Sequence, residues 1–423
     1  MTVGVRPFGA AIGVLVLAAR LTAQTLPVPV LPPEPAPEPE ATPSPGGPQQ
    51  GTPARVEPVD APEAARPRAW EYAVGAGVNW DGNVEFLVPG GRGGIAVVPS
   101  GALARVFSGR YAQVRATAAG RWSGYPGQEQ VRQYNADFGL DGSYRRSPST
   151  TWRANASYGI GYSDSSRILL EQGVLLPVVK ARSLTGALGL VKRMGAQTSL
   201  RFDGRLYRTE FDSPGLINGE SVRSTIGMER HFDGRSTAAM EYSLEYVRSG
   251  QTGRLYLTHY GSLQWARVLS RRSALLVEGG GSYTPDAVRA GLFQKESFFG
   301  GASLSRQVKR SSLTLFVRHE VAPAFGIGVS RLELRAGLGA RIPMGRAWEL
   351  RMAAGHVQPE TPRALGRLYA SSDDASATLG RRLGRRLEVS GEARYRRRGA
   401  TKLLPMVDAF RAGLYLTLAS AAP

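Results

Sequence analysis

From Trp70 to the C-terminal region the chain alternates apolar and polar residues with a period of two, the spacing of side chains on the two faces of a β-strand. "TTWRANASYGIGY", residues 150–162, separates into Trp152, Ala154, Ala156, Tyr158, Ile160 and Tyr162 on one face and Thr151, Arg153, Asn155, Ser157, Gly159 and Gly161 on the other. "WEYAVGAGVNW" likewise sets Trp70, Tyr72, Val74, Ala76, Val78 and Trp80 together. Residues 133–144 oppose Tyr134, Ala136, Phe138, Leu140 and Tyr144 to Gln133, Asn135, Asp137, Asp141 and Ser143. The pattern recurs about eighteen times between residues 70 and 419, least clearly at 95–107, 179–191 and 374–384. Short turns such as "SGR" at 108–110, "DGRS" at 233–236 and "PMGR" at 343–346 alternate with longer stretches, among them 81–94, 163–178, 285–295 and 358–373.

Alternation alone also fits a soluble sandwich. Three features choose against it. The segments run about eleven to thirteen residues, whereas soluble strands usually have five or six, and the longer run crosses a bilayer when tilted. Aromatic residues bracket the apolar faces, Trp70 with Trp80 and Trp152 with Tyr162, where two lipid interfaces would lie. The polar faces carry charges of both signs in nearly every segment, which a protein core could not bury. The expected fold is therefore all-β, a transmembrane up-and-down antiparallel barrel of about 18 strands over residues 69–423. Its apolar faces meet lipid and its polar faces meet a wet lumen.

With these features the chain resembles bacterial outer-membrane β-barrel proteins of the porin-like kind. The resemblance covers residues 70–419 and rests on architecture, not on a diagnostic motif. It implies the outer membrane of a Gram-negative cell, contact with outer-membrane lipid, and transport. The strand number, charged lumen and preceding stalk also look like the barrels that export polysaccharide. The last segment departs from the family's habit: Phe410, Ala412, Leu414, Leu416 and Leu418 face lipid, but the chain ends "LASAAP" without a terminal aromatic.

Residues 1–23 read as a secretory signal, with Arg6 in the n-region, Phe8 to Ala19 as the apolar stretch and Leu21-Thr22-Ala23 before the cleavage point. Residues 24–68 hold half of the 28 prolines and read as a disordered, Pro-rich periplasmic linker. At about 3.1 Å per residue it reaches on the order of 100 Å, enough to contact periplasmic or peptidoglycan partners. The absence of cysteine excludes disulfides, thiolate metal sites and a lipidated N-terminal Cys. The net charge of +19 is carried by 48 Arg and 5 Lys against 34 acids, but no basic helix or recognition motif accompanies it, which excludes nucleic acid as a partner.

Parity places Arg115, Arg121, Arg153, Arg201, Arg205, Arg331, Glu333, Arg335, Arg341, Arg394, Arg396 and Arg411 on the lumen face, among a nearly equal number of acids. Two readings stay open for them. They form a track for an anionic or neutral polysaccharide or another solute, or they pair with one another and rigidify the interior. Tyr207, Tyr256 and Tyr260 also point inward, a surface on which sugars could stack. The apolar "SRILLEQGVLLPVV" at 166–179 either folds inward as a constriction or extends the neighbouring strands. Alternatives to a channel are a sealed barrel anchoring the Pro-rich arm, and an outer-membrane enzyme. Against the enzyme, His259, His319 and His356 fall on the apolar register as lone interfacial residues, and His231 sits beside a short turn. No catalytic, cofactor-binding or metal-ligating spacing is present, so no cofactor is expected.

Overall fold

The computed structural model describes residues 70–84, 93–126, 132–162, 179–212, 218–249, 255–286, 295–324, 329–345, 347–360, 371–384, 386–400 and 406–420. The expected signal at 1–23, the Pro-rich linker at 24–68 and the apolar stretch at 166–178 lie outside the described residues.

Eighteen strands follow in chain order: β1 (Glu71–Asp81), β2 (Gly94–Ser108), β3 (Ala112–Gly124), β4 (Arg132–Ser147), β5 (Thr150–Tyr162), β6 (Lys180–Arg193), β7 (Thr198–Phe211), β8 (Gly219–His231), β9 (Ser236–Ser249), β10 (Leu255–Ser270), β11 (Ser273–Tyr283), β12 (Glu296–Val308), β13 (Ser311–Ala324), β14 (Val329–Met344), β15 (Trp348–Pro359), β16 (Ser372–Arg382), β17 (Leu387–Arg398) and β18 (Val407–Ala419). Each pairs antiparallel with its sequence neighbours, and β1 closes the ring on β18, from Ala73 opposite Ala419 to Asp81 opposite Arg411. Closure leaves no unpaired strand edge, the condition a sheet must meet inside a bilayer.

The alternation has the sense read from the sequence. Val78 is 51% exposed on the outside of β1 while its neighbour Asn79 is 2% exposed within; Leu414 and Tyr415 on β18 repeat this at 62% and 3%. A continuous apolar exterior of this kind belongs in lipid, because soluble monomers rarely expose apolar patches beyond a few hundred Å². The barrel therefore spans a membrane.

Short turns join β2 to β3, β4 to β5 and so on around one rim, and the remaining connections gather on the other. In the β8–β9 turn the backbone N–H of Arg235 donates to Asp233 at 2.6 Å. That bond, above all, holds the Asp233 carboxyl below its ordinary pKa. The contribution to stability is present above the ordinary carboxylate pKa and fades as pH falls through the lowered one.

Aromatic rings lie flat along the inner wall where the neighbouring strand offers glycine. A side chain at Gly77 or Gly413 would collide with Tyr415, and one at Gly337 would collide with the ring of Phe316. Gly77→Val is expected to lift Tyr415 off the wall and to destabilise the barrel by about 1–3 kcal/mol, read from urea unfolding of the refolded protein.

The inner wall as candidate functional site

The parity of each strand decides which residues line the lumen, and strand register decides which of them meet. On β7, Arg201 pairs with Asp203 and lies 3.8 Å from Glu241 of β9. Arg205 stands two positions on, opposite Arg223 of β8. The Arg223 guanidinium lies 4.3 Å from the ring centre of Tyr260, whose hydroxyl donates to Glu245 at 2.9 Å. Further round, Arg318 lies 3.4 Å from Glu278 and 4.0 Å from Glu320. Arg335 pairs with Glu333 and lies 3.3 Å from Glu320. Glu333 is fully buried.

Nearer the short-turn rim, Arg341 and Arg351 hold the two oxygens of Glu349 at 2.7 and 2.5 Å. Arg394 of β17 donates through Nε and Nη2 to Asp374 of β16 at 2.9 and 2.7 Å. Arg411 of β18 does the same to Asp81 of β1, across the seam where the barrel closes. Arg121 donates to the hydroxyl of Tyr415 at 2.8 Å, and that hydroxyl donates in turn to Asn79. Arg115 stands opposite Asp141, Arg396 is buried opposite Asp374, and Arg153 is exposed at the short-turn end of β5. Arg331 belongs to β14, but its side chain lies outside the described residues.

The wall is thus laced laterally: most arginines are met by a carboxylate on the same or the adjacent strand, so the two readings of these residues are joined in one surface. The pairs cross-link the sheet, and their outer atoms present charge to the lumen. Arg121, Arg394, Arg396, Arg398 and Arg411 stand on β3, β17 and β18. Glu241, Glu245, Glu278, Glu320 and Glu333 stand on β9, β11, β13 and β14, among Arg201, Arg205, Arg223, Arg318 and Arg335 of β7, β8, β13 and β14.

Two expectations are corrected. Tyr207, Tyr256 and Tyr260 do point inward, but at 4–8% exposure they pack with Phe211, Val247 and Phe299 near the long-connection rim and offer no free face to a sugar. Val179, the last residue of the apolar stretch, packs against the same cluster. The histidines of the outer face are not lone residues: His259 bonds to the hydroxyl of Tyr242 at 2.7 Å, His319 to Glu360 at 2.9 Å and His356 to Asp373 at 2.6 Å. Their partners come from other strands or connections, which periodicity within one strand does not reveal. Among the described residues, no three His, Asp or Glu side chains are grouped to hold a metal ion.

No protein-family model matches the chain, and no curated protein does. Solved structures similar to it include the outer membrane protein OpdK of Pseudomonas aeruginosa, at 13% identity over 83% of this chain and 99% of that one, with a TM-score of 0.45. OccAB4 of Acinetobacter baumannii matches at 9% identity over 84% and 99%, also with a TM-score of 0.45. The siderophore receptor PirA of P. aeruginosa matches at 9% identity over 84% and 81%, with a TM-score of 0.42. The barrel architecture of the present chain stands on its own strand register.

Proposed function

We propose that this protein is an outer-membrane channel of a Gram-negative cell, passing small solutes with a preference for anions. The observation that carries the reading is the inner wall itself: a closed, membrane-spanning ring lined by charged groups, with Arg394, Arg396 and Arg398 at successive inward positions of β17. Inward positions on one strand repeat at about 6.6–6.8 Å, and guanidiniums at that spacing, though themselves buried, act on a passing anion through their field. Eighteen strands enclose a circumference of channel-forming size. The buried state of Tyr207, Tyr256 and Tyr260 favours small solutes over a stacked saccharide chain. His259, His319 and His356 are held on the outer face by Tyr242, Glu360 and Asp373, away from the lumen.

The test is current through the refolded protein in a planar bilayer, with selectivity taken from the reversal potential in a salt gradient. Steady, anion-selective current is expected, and Arg394→Gln, Arg396→Gln and Arg398→Gln together are expected to lower the anion-to-cation permeability ratio severalfold. Acidic sugars that interrupt the current, with neutral ones leaving it unchanged, would extend the cargo to acidic saccharides. No current at all would sink the channel reading and leave a sealed anchor for the N-terminal segment.

A further inference from the structure

The excess positive charge of the chain is not spread evenly over the barrel. Among the described residues, the short turns hold Arg110, Arg235, Arg271, Arg272, Lys309, Arg310 and Arg386 and a single carboxylate, Asp233. The lipid-facing side continues the bias. Arg105, Arg230, Arg267 and Arg381 occupy outward positions within the last four residues of β2, β8, β10 and β16, all descending to this rim. Arg146, Lys192 and Arg306 hold the corresponding outward positions of β4, β6 and β12.

Five of these cations lie against aromatic rings. The Arg105 guanidinium lies 4.9 Å from the ring centre of Trp70 and 4.8 Å from that of Phe107. Arg381 lies 5.0 Å from Trp348, Arg110 5.1 Å from Tyr111, Arg230 5.8 Å from Phe232 and Arg267 6.0 Å from Trp265. A guanidinium on a ring face keeps its N–H edge directed outward for a second partner. The opposite rim is built differently. There outward cations meet carboxylates as well: Arg208 with Glu210 at 2.5 Å, Arg248 with Glu220 at 3.5 Å, and Lys180, 5.9 Å from the ring centre of Tyr134, with Asp212 at 3.5 Å. At the short-turn rim the turn carboxylate Asp233 feels the charge of Arg267, and the outward cations otherwise stand beside turns rich in arginine.

We infer that the short-turn rim is a binding girdle for anionic phospholipid headgroups in the leaflet it meets. The groups stand at the depth of the aromatic belt, where the phosphodiester of a bilayer lies, and they face the lipid. A phosphodiester supplies acceptor oxygens to the guanidinium edges, and the turn arginines just beyond extend the same surface toward the headgroup. The inference rests on the membrane-spanning reading of the exterior.

The test uses the full mature chain in bilayers containing trace spin-labelled phosphatidylglycerol or phosphatidylcholine, reading the motionally restricted fraction at the protein surface by electron paramagnetic resonance. Selection of phosphatidylglycerol by about two- to fivefold is expected, falling toward unity in 1 M salt, where the screening length is about 3 Å. Arg105→Gln, Arg230→Gln, Arg267→Gln and Arg381→Gln together are expected to abolish most of that selection. Arg208→Gln with Arg248→Gln, at the other rim, is expected to leave it. Equal restriction of both lipids by the unmodified protein would overturn the girdle while leaving the membrane barrel intact, and selection unchanged in the fourfold variant would overturn it too. No restricted fraction for either lipid would instead overturn the membrane reading. The salt dependence of the unmodified protein decides the matter even where the fourfold variant does not refold.

Discussion

Arg335→Ala is expected to destabilise the barrel by about 3–5 kcal/mol, the cost of leaving buried charge without its partner. Arg335 stands between Glu333, which is fully buried, and Glu320, which is 3% exposed. Its removal takes from both carboxylates a cation within 3.3 Å or less in a low-dielectric wall; Arg318 remains 4.0 Å from Glu320. Arg341→Ala removes a partner of Glu349 by the same chemistry, yet it is expected to cost under about 1 kcal/mol. The Arg341 side chain is 50% exposed, and Arg351 still holds Glu349. Urea unfolding of the refolded protein in lipid measures both. Replacing the pair together, Arg335→Met with Glu333→Leu, is expected to recover part of the loss, since one buried carboxylate goes with the cation. Equal costs for Arg335→Ala and Arg341→Ala would show that the inner wall is hydrated throughout, and that its ion pairs do not hold the sheet.

The same pairs mark the boundary of what the amino-acid order makes legible. Lipid imposes one uniform demand on the exterior, so period two persists from β1 to β18 and strand number and facing follow from it. It weakens where a local task competes. Pro99, Ser100 and Gly101 blur the alternation within the continuous strand β2, and the start of β16 at Ser372, two residues before the expected 374, is masked by Asp373, which breaks the apolar pattern of the outer face to meet His356. Partners across strands are a different matter. Arg411 and Asp81 are 330 positions apart and meet only because β18 returns to β1. Arg394 and Asp374 meet because of register between β16 and β17. The positive turns "SRR" and "KR" are plain in the sequence, but their gathering on one rim follows from the up-and-down order of the strands.

Facing can be tested at two adjacent positions of one strand. Leu263 lies at the middle of β10, 65% exposed to the outside, between Met240 of β9 and Gly279 of β11. Leu263→Arg is expected to cost about 2–4 kcal/mol, because a guanidinium at the bilayer midplane has neither water nor a counter-charge. Gln264 is its neighbour on the inner face, where its amide lies 3.4 Å from a carboxylate oxygen of Glu241. Gln264→Arg gives the new charge an acid partner and is expected to change stability by no more than about 1 kcal/mol. Both variants add the same side chain to the same strand, so propensity and size cancel and only the surrounding medium differs. A shift of register by one residue exchanges the two faces of the strand and would reverse the order of the two costs. Comparable costs would mean that the outer face of β10 is not in lipid, and the exterior would then have to be covered by protein.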